Sequence, residues 1–302
     1  MFSRRHPFLF SLLVFSGIVS FTVLGVALLI YLGTRDDPYG GFGGIGGDRV
    51  GIVEVGGIIA DSRDVVENLR RFREDERIKA IVLRIDSPGG VVGPAQEIYR
   101  EVGRTVQEKK VFASMGAVAA SGGYYVAAAA NGIMANPGTI TGSIGVIMEF
   151  TNVQELLSKI GLSPVVVKSG DLKDVGSPVR EMSEADRRFL QDFVGKLHRQ
   201  FIADIASGRK MDIGAVEKIA DGRILTGQEA QGLGLVDRIG NLEDAIAWAG
   251  ESVGIEGRPD VVYPPERRLT FLRSLMASMS RILLDTSLQP RLKAAFLYSP
   301  EQ

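Results

Sequence analysis

The chain contains the run Ala80-Ile81-Val82-Leu83-Arg84-Ile85-Asp86, followed at once by Ser87-Pro88-Gly89-Gly90. Apolar residues occupy consecutive positions of this run, which is typical of a strand buried on both faces of a parallel sheet. The proline and glycines predict a turn. Apolar residues then recur at helical spacing, at Val92, Ala95, Ile98, Val102 and Val106. A strand, a turn and a helix in this order indicate an α/β fold.

The same alternation of strand and helix continues on both sides of this unit. Short β-branched and apolar runs predict strands, and apolar residues three or four positions apart predict helices. The predicted strands cover residues 50–55, 111–115, 132–135, 143–148 and 164–168, and the predicted helices cover residues 62–73, 124–130, 152–160 and 183–207. We therefore predict a mostly parallel sheet with flanking helices.

Composition excludes several classes of protein. The net charge is −1, from 35 Lys and Arg against 36 Asp and Glu, so the chain lacks the positive charge that nucleic-acid binding requires. Cysteine is absent, which excludes disulfides, iron–sulfur clusters, cysteine-ligated zinc and a cysteine nucleophile. His6 and His198 are the only histidines. A three-histidine zinc site is therefore impossible, and catalysis by histidine would depend on His198.

An uncharged segment near the N-terminus is long enough to cross a membrane. Residues 8–33 contain no charged residue and no proline, and about 20 apolar residues suffice to span a bilayer. A cleaved signal peptide and a buried core helix are the alternatives, but a signal peptide has a shorter apolar region that ends in small residues. Two arginines precede the segment, whereas Asp36 and Asp37 follow it. We therefore expect a transmembrane anchor, with residues 1–7 in the cytoplasm and the rest of the chain beyond the membrane.

A glycine-rich linker, residues 34–48, follows the predicted anchor. It contains a G-x-G-x-x-G pattern that begins at Gly41. This pattern binds dinucleotides only where it follows a strand and opens a helix, and here it precedes the first strand. We assign the folded domain to residues 49–260. Residues 261–302 form a C-terminal arm, peripheral or at an oligomer interface, in which apolar spacing over residues 267–284 predicts a helix.

Ser121 lies between a predicted strand and a predicted helix. Its neighbours Ala120, Gly122 and Gly123 are small, so a peptide backbone can approach the hydroxyl closely. The free N–H groups at the start of a helix can also stabilise a developing oxyanion. These features suit a serine nucleophile. The alternative is that Ser121 is only the N-cap of the helix, a position that serine favours.

The turn Asp86-Ser87-Pro88-Gly89-Gly90 stands at the carboxyl end of a predicted strand. Open α/β sheets bind their ligands at this end, and the glycines could direct a peptide N–H into such a site. The alternative is a tight turn without further role, because Pro-Gly is common in turns. Ser87 is a weak nucleophile candidate, since a serine before proline in a turn needs no catalytic explanation.

A serine nucleophile needs a base, and the sequence offers a histidine and lysines. His198 lies inside the helix predicted over residues 183–207, where a packing role is the more common one. Lys168 and Lys173 lie in the loop Lys168-Ser169-Gly170-Asp171-Leu172-Lys173-Asp174. A lysine amine acts as a base near neutral pH only where burial lowers its pKa. An ordinary surface lysine is the alternative for both.

Five ordered motifs resemble the signal peptide peptidase A family, over roughly residues 50–245. They are Ile85-Asp86-Ser87-Pro88-Gly89-Gly90, the segment from Ser114 to Tyr125, Thr139-Ile140-Thr141-Gly142-Ser143-Ile144-Gly145-Val146, the lysine loop from Lys168 to Asp174, and Ala220-Asp221-Gly222-Arg223. The resemblance implies a membrane-anchored serine protease with a ClpP/crotonase-like fold and a Ser/Lys dyad. The folded domain would then be the protease domain.

The resemblance also implies a role for each matching residue. Ser121 is the expected nucleophile and Lys173 the expected general base, and Ser143 is expected to hold the lysine amine. The N–H groups of Gly90 and Gly122 would form the oxyanion hole. Neither a metal nor a cofactor is implied.

The resemblance implies partners and a location as well. The expected substrates are remnants of cleaved signal peptides, and the expected assembly is a homo-oligomeric ring whose sites form between neighbouring subunits. The expected location is the bacterial cytoplasmic (inner) membrane, with a single-pass anchor and the catalytic domain outside the cytoplasm. Three alternatives stay open: a related membrane serine protease with one dedicated protein substrate, a crotonase-like acyl-CoA enzyme, and an inactive membrane scaffold.

Overall fold

The computed structural model describes residues 47–265, the backbone of residues 295–297 and eight residues between positions 8 and 25. Contacts group residues 43–302 into one compact unit and residues 1–42 into another. The strands of the larger unit are β1 (Arg49–Gly56), β2 (Ile78–Ser87), β3 (Gly89–Val91), β4 (Lys110–Ala119), β5 (Gly132–Ala135), β6 (Ile140–Gly142), β7 (Ile224–Thr226), β8 (Arg238–Ile239), β9 (Asp260–Val262) and β10 (Ala295–Leu297).

Helices connect most of these strands. They are α1 (Arg63–Glu74), α2 (Val92–Val106), α3 (Gly122–Ala127), α4 (Gln154–Lys159), the 3₁₀ turn Asp171–Asp174, α5 (Glu184–Arg209), α6 (Ile213–Glu217), α7 (Gly227–Gly232) and α8 (Leu242–Glu251). The longest, α5, contains nearly all of the helix predicted over residues 183–207.

Six strands form a parallel sheet in the order β9-β1-β2-β4-β5-β8. A shorter branch, β4-β6-β7, leaves β4, with β6 parallel to β4 and β7 antiparallel to β6. The apolar run of β2 occupies the middle of the sheet, where residues 80–83 are fully buried. The predicted α/β fold with a mostly parallel sheet and flanking helices is confirmed.

Helices cover both faces of the sheet. On one face, α8 packs on a cluster that includes Ile52 and Val82, and the rings of Phe112 and Trp248 lie with their centroids 4.5 Å apart. On the other face, Phe72 of α1 lies directly over Gly51, where a Cβ would collide with its ring. Burial on both faces explains why the strands are continuous apolar runs instead of alternating ones.

β4 changes its neighbour halfway along, and this change positions the candidate site. Residues 112–115 pair with β5, whereas Val118 pairs with β6. Gly116 lies at the change, where a Cβ would crowd the carboxylate of Asp86. Asp86 Oδ1 accepts the N–H of Val118 at 3.1 Å. The end of β4 therefore follows the β6 branch and carries Ser121 to the carboxyl end of the sheet.

Two of the predicted strands are wrong. Residues 143–148 form no strand, and β6 ends at Gly142, because Gly142 and Ser143 both have positive φ angles, 71° and 50°, which an extended ladder does not accommodate. Residues 164–168 form no strand either. They belong to an exposed segment, residues 150–180, which we call the Lys173 segment, and Val165 and Val167 there are almost fully exposed.

Several predictions fall on residues that the structure does not describe. Most of the anchor predicted over residues 8–33, most of the linker and the helix predicted over residues 267–284 lie outside the described residues. Within the described part of the chain, no helix combines the length and the apolar character that crossing a bilayer requires. From the C-terminal arm, β10 is described and pairs antiparallel with β3.

Candidate active site

Ser121 lies between β4 and α3. It follows the end of β4 that pairs with β6 and immediately precedes the first residue of α3. Its N–H donates to the Gly142 carbonyl at 2.9 Å, and its carbonyl accepts the N–H of Tyr125 at 2.8 Å. The side chain is buried, and Oγ has no hydrogen-bond partner. The interpretation of this serine as a simple N-cap is wrong, because Oγ forms no capping hydrogen bond. A buried hydroxyl without a partner is unusual and needs an explanation.

The backbone of Ser121 is strained. Its φ and ψ angles are 53° and −116°, a combination that residues with a side chain rarely adopt. Within the described residues, the non-glycine residues with positive φ are Ser121, Ser143 and Lys210. Such conformations cost about 1–3 kcal/mol each and concentrate at functional sites. Two of the three strained residues are serines that the sequence singles out.

Ser143 lies beside Ser121 in the fold. Its preceding residue, Gly142, supplies the carbonyl that accepts the Ser121 N–H, and the Ser143 N–H donates to the Arg223 carbonyl at 2.7 Å. The Ser143 side chain is buried. Thus the motifs at 121, 143 and 223, which are far apart in sequence, meet through backbone hydrogen bonds.

The residues after β2, which the sequence allowed to be only a tight turn, lead within two positions into the short strand β3. Ser87 Oγ donates to the Gly57 carbonyl at 2.6 Å and accepts the Gly89 N–H at 3.1 Å, so this buried hydroxyl is occupied as a structural brace. The Ser87 carbonyl accepts the N–H of Ala120 at 3.1 Å. Ser87 therefore ties β3 to the residue that precedes Ser121.

Gly90 and Gly122 are the candidate oxyanion-hole residues, and the backbone around each fixes the direction of its N–H group. Residues on either side of Gly90 bond to Ile59: the Val91 N–H donates to the Ile59 carbonyl at 2.8 Å, and the Ile59 N–H donates to the Gly89 carbonyl at 2.9 Å. Because successive residues of a strand direct their N–H groups to opposite sides, the Gly90 N–H points away from Ile59. Gly122 is the first residue of α3, where an N–H has no partner within the helix.

An extended segment of the chain lies along the free side of β3. β10 is antiparallel to β3, with Phe296 opposite Gly90. The Gly90 N–H and carbonyl therefore face the backbone of Phe296. This edge of β3 is therefore paired with an extended segment of the chain.

Lys173 is not brought together with these residues by the contacts of the protomer. It lies in the 3₁₀ turn of residues 171–174, and its side chain is exposed. The hydrogen bonds and ion pairs of the Lys173 segment join its own residues and the start of α5, as in the pair formed by Lys168 and Asp174 at 2.7 Å. The protomer thus buries the candidate nucleophile and exposes the candidate base.

His198 does not pair with Ser121 in this structure. It lies in the middle of α5, half buried, and its Nε2 atom has no hydrogen-bond partner. Since Ser121 Oγ is also without a partner, no hydrogen bond joins the two.

Comparison with known proteins identifies the family. The sequence model of peptidase family S49 matches residues 104–256, and the model of Clp protease matches residues 51–140. The two matches overlap over residues 104–140, which include β4 and the strained Ser121.

The chain belongs to peptidase family S49. Three relatives are similar to this S49 peptidase. A Synechocystis sp. protein provisionally named a protease is 42% identical over 77% of the chain and 86% of its own length. An Enterococcus faecium protein provisionally named signal peptide peptidase SppA is 37% identical over 64% of the chain and 60% of its own length. Protease 4 of Salmonella typhi is 34% identical over 82% of the chain and 42% of its own length.

Family membership and the names of these relatives support a serine protease. They confirm the family predicted from the motifs. They give no support to the acyl-CoA enzyme or to the scaffold.

Sequence reasoning missed the structural roles of two residues in the S49 site. Asp86 accepts a hydrogen bond from β4 at its change of neighbour, and Ser87 braces β3. Both stand in the motif that the sequence indicated, but their partners, Val118 and Gly57, are about 30 residues away in the chain. No local pattern encodes such a contact, so only the fold reveals these roles.

Proposed function

We propose that this S49 peptidase is a membrane-anchored serine endopeptidase that degrades remnant signal peptides, with Ser121 as nucleophile and Lys173 as general base. One observation carries the proposal: Ser121 Oγ is buried, has no hydrogen-bond partner and belongs to a strained residue. If Ser121 is the nucleophile, its Oγ has no partner because the base and the substrate are both absent from the protomer. Backbone strain is also common at catalytic residues.

The base comes from a neighbouring subunit in this proposal. Lys173 is exposed in the protomer, and a lysine amine is neutral near pH 7 only where it is shielded from water. Leu156, Val165 and Val167 in the same segment expose apolar surface, which a second copy of the chain would cover. Assembly into a ring would place Lys173 of one subunit beside Ser121 and Ser143 of the next, with the Ser143 hydroxyl holding the amine.

The reaction then proceeds through an acyl-enzyme. The neutral Lys173 amine takes the hydroxyl proton of Ser121 as Oγ bonds to the carbonyl carbon of the substrate. The tetrahedral intermediate expels the amine product, which receives that proton from the lysine. Lys173 next takes a proton from water, the resulting hydroxide attacks the ester, and Ser121 Oγ recovers a proton as the acid product leaves.

The N–H groups of Gly90 and Gly122 stabilise the oxyanion in both steps. Gly122 stands at the start of α3 and Gly90 directs its N–H away from Ile59, toward the side on which a peptide lies. Such donors are preorganised by the backbone and need no rearrangement as charge develops.

The substrate binds as an extended strand along β3. The pairing of β10 with β3 supports this mode, because β10 is an extended segment that lies antiparallel to β3 with Phe296 opposite Gly90. Backbone hydrogen bonds to β3 would hold an extended peptide of any sequence. The small residues around Ser121 would let the peptide backbone approach the Ser121 hydroxyl. The predicted anchor would keep the site close to the membrane where remnant signal peptides reside, with the protease domain outside the cytoplasm.

Mixing two inactive variants tests the proposal. Ser121→Ala and Lys173→Ala chains, each inactive alone, are combined under conditions in which subunits exchange, and hydrolysis of a synthetic signal peptide is followed. If the dyad is shared, some interfaces join an intact Ser121 to an intact Lys173, and activity returns. Activity of either variant alone contradicts the assigned roles.

Co-assembly of differently tagged chains is the control for the mixture. A co-assembled mixture that stays inactive contradicts the shared dyad. Parallel digestion of folded protein substrates separates the two proteases that remain: a signal peptide peptidase cleaves the peptide alone, whereas a protease with a dedicated protein substrate leaves the peptide intact.

A further inference from the structure

The turn that carries Lys173 is held by a series of charged contacts. A 3₁₀ turn of four residues has little stability of its own. The next residue, Asp174, accepts hydrogen bonds from Lys168 Nζ at 2.7 Å and from Arg180 Nε and Nη2 at 2.8 and 3.0 Å. Two roughly parallel hydrogen bonds between a guanidinium and a carboxylate fix direction as well as distance. The orientation of the turn is therefore set by Arg180.

Arg180 also holds the first turn of α5. Its Nη1 atom donates to Asp186 Oδ2 at 2.5 Å. Asp186 is buried and completes the capping box of this helix by accepting the Ser183 N–H at 3.1 Å. One guanidinium thus joins the Lys173 turn to the start of a long helix.

The other end of α5 is fixed in the core. The helix has 26 residues and is about 39 Å long at about 1.5 Å per residue. Phe201 and Ile205 near its end are fully buried, and Arg209 pairs with Asp237 at 2.7 Å. The position of Lys173 relative to the sheet therefore depends on α5 and on the contacts of Arg180.

We propose that Arg180 and Asp174 are positioning residues that hold Lys173 where it serves as the base. The proposal rests on the proposed function, because it takes Lys173 to be catalytic. Hydrogen bonds from Arg180 hold the pKa of the Asp174 and Asp186 carboxyl groups well below their ordinary range. Both carboxylates stay charged at every pH at which a lysine base is neutral, so the contacts persist through the working range of the enzyme.

Replacement of Arg180 tests the proposal in the full-length assembled protein. Arg180→Ala should lower kcat about 10- to 100-fold and leave KM within about threefold, since a small misplacement of a catalytic group slows chemistry more than binding. The matched control is Lys196→Ala, which removes an exposed ion pair with Asp192 on the same helix, 2.6 Å long, without contacting the turn. This control should keep kcat within about twofold.

Two further measurements separate positioning from a merely structural role. Millimolar guanidinium chloride should restore part of the activity of Arg180→Ala, because the free cation fits between the two carboxylates, and it should restore none to Lys173→Ala. Arg180→Lys should remain impaired, since an ammonium group does not form the paired hydrogen bonds of a guanidinium. Rescue by guanidinium without a change in melting temperature would show that placement of the turn is what the variant lost.

Each outcome decides the question. An assembled Arg180→Ala protein with the kcat of the unmodified enzyme overturns the proposal. If that variant does not assemble, Asp174→Asn, which keeps the size of the side chain, takes its place: a similar loss of kcat supports the proposal, and an unchanged kcat overturns it. A fully active Lys173→Ala protein would instead overturn the proposed function, so the two failures are distinguishable.

Discussion

The two parts of the candidate site are built in opposite ways. Ser121 is buried at the end of β4, and backbone hydrogen bonds to Gly142 and Tyr125 fix its strained conformation. Lys173 is exposed, and side-chain ion pairs through Asp174 and Arg180 hold its turn. The first part is set by the core of the protomer, whereas the second is set by charged contacts at its surface.

Under the proposed function, this difference would keep the enzyme inactive before assembly. Backbone hydrogen bonds in a core form as soon as the domain folds, so the conformation of the proposed nucleophile is set within each protomer. The Lys173 segment exposes apolar side chains, including Val165 and Val167, and exposed apolar patches mark surfaces that bind another molecule. Folding would therefore set the conformation of Ser121, and association of subunits would shield Lys173 from water and place it beside Ser121.

Ser121→Ala is expected to have the largest effect of any single substitution. Activity should fall by about 10⁴-fold or more, because the acyl-enzyme no longer forms. The free energy of unfolding should not fall, since the buried Oγ forms no hydrogen bond whose loss would matter. Peptide hydrolysis and chemical denaturation measure the two quantities. Retained turnover, or a large loss of stability, would contradict the description of Ser121 as preset and unpartnered.

Lys173→Arg tests whether the exposed lysine is the base. Activity should fall by about 10³-fold, because a guanidinium stays protonated and does not act as a base. His198→Ala is the matched control and should retain activity, since no hydrogen bond joins His198 to Ser121 in the structure. An inactive but folded His198→Ala protein would transfer the role of base to the histidine.

Gly90→Ala tests the proposed role of the Gly90 N–H in the oxyanion hole, with a smaller expected effect. The added Cβ would collide with the Ile59 carbonyl, and β3 would have to shift. Displacing an oxyanion donor lowers kcat by about 10²-fold, and overpacking destabilises by about 1–3 kcal/mol.

Gly103→Ala is the control for this substitution. Gly103 lies inside α2 with open space around it, so an alanine there should stabilise the helix by about 0.5–1 kcal/mol and leave kcat unchanged. Steady-state kinetics and thermal unfolding distinguish the pair. Equal effects of the two alanines would show that the Gly90 loop is not part of the site.

Sequence patterns predicted the buried half of the molecule better than the exposed half. The strands around residues 50–55 and 80–86 are buried on both faces, so their apolar runs report their structure directly. The run Val165-Val166-Val167 has the same composition but is exposed and has no ladder. A β-branched run indicates a preference for extended backbone. It does not indicate whether the same chain supplies a neighbouring strand to pair with it.

The sequence likewise predicted some features of the candidate site and not others. Ser121 and Gly90 could be found from the sequence because small residues and glycines accompany them, whereas Ser143 was indicated only by the resemblance to the signal peptide peptidase A family. Whether Ser121 caps a helix depends on its φ angle and on the partner of Oγ, and neither is written in local sequence. The link between Asp174 and Asp186 through Arg180 was also invisible, since charged loops usually have no fixed partners.

The smallest expected effect concerns the charge of Asp186, which ends the series of contacts from Lys173 to α5. Hydrogen bonds from Arg180 and then from the Ser183 N–H lower the pKa of Asp186 from an ordinary 3.8 to about 2. A carboxyl group whose pKa is lower in the folded state stabilises that state, and the stabilisation is complete above the unfolded value. It disappears as the pH falls through the folded value.

Comparison of the full-length protein with Asp186→Asn isolates this contribution. Asparagine keeps an oxygen that can accept the Ser183 N–H, so the difference in melting temperature reports mainly the loss of charge. That difference should be modest and constant from pH 7 down to about pH 5, because the carboxylate is then ionised in both folded and unfolded chains. It should shrink between about pH 4 and pH 2, where the unfolded and then the folded carboxyl group is protonated. A difference that already vanishes near pH 5 would show that Arg180 does not hold this carboxylate, and the exposed part of the site would then lack its link to α5.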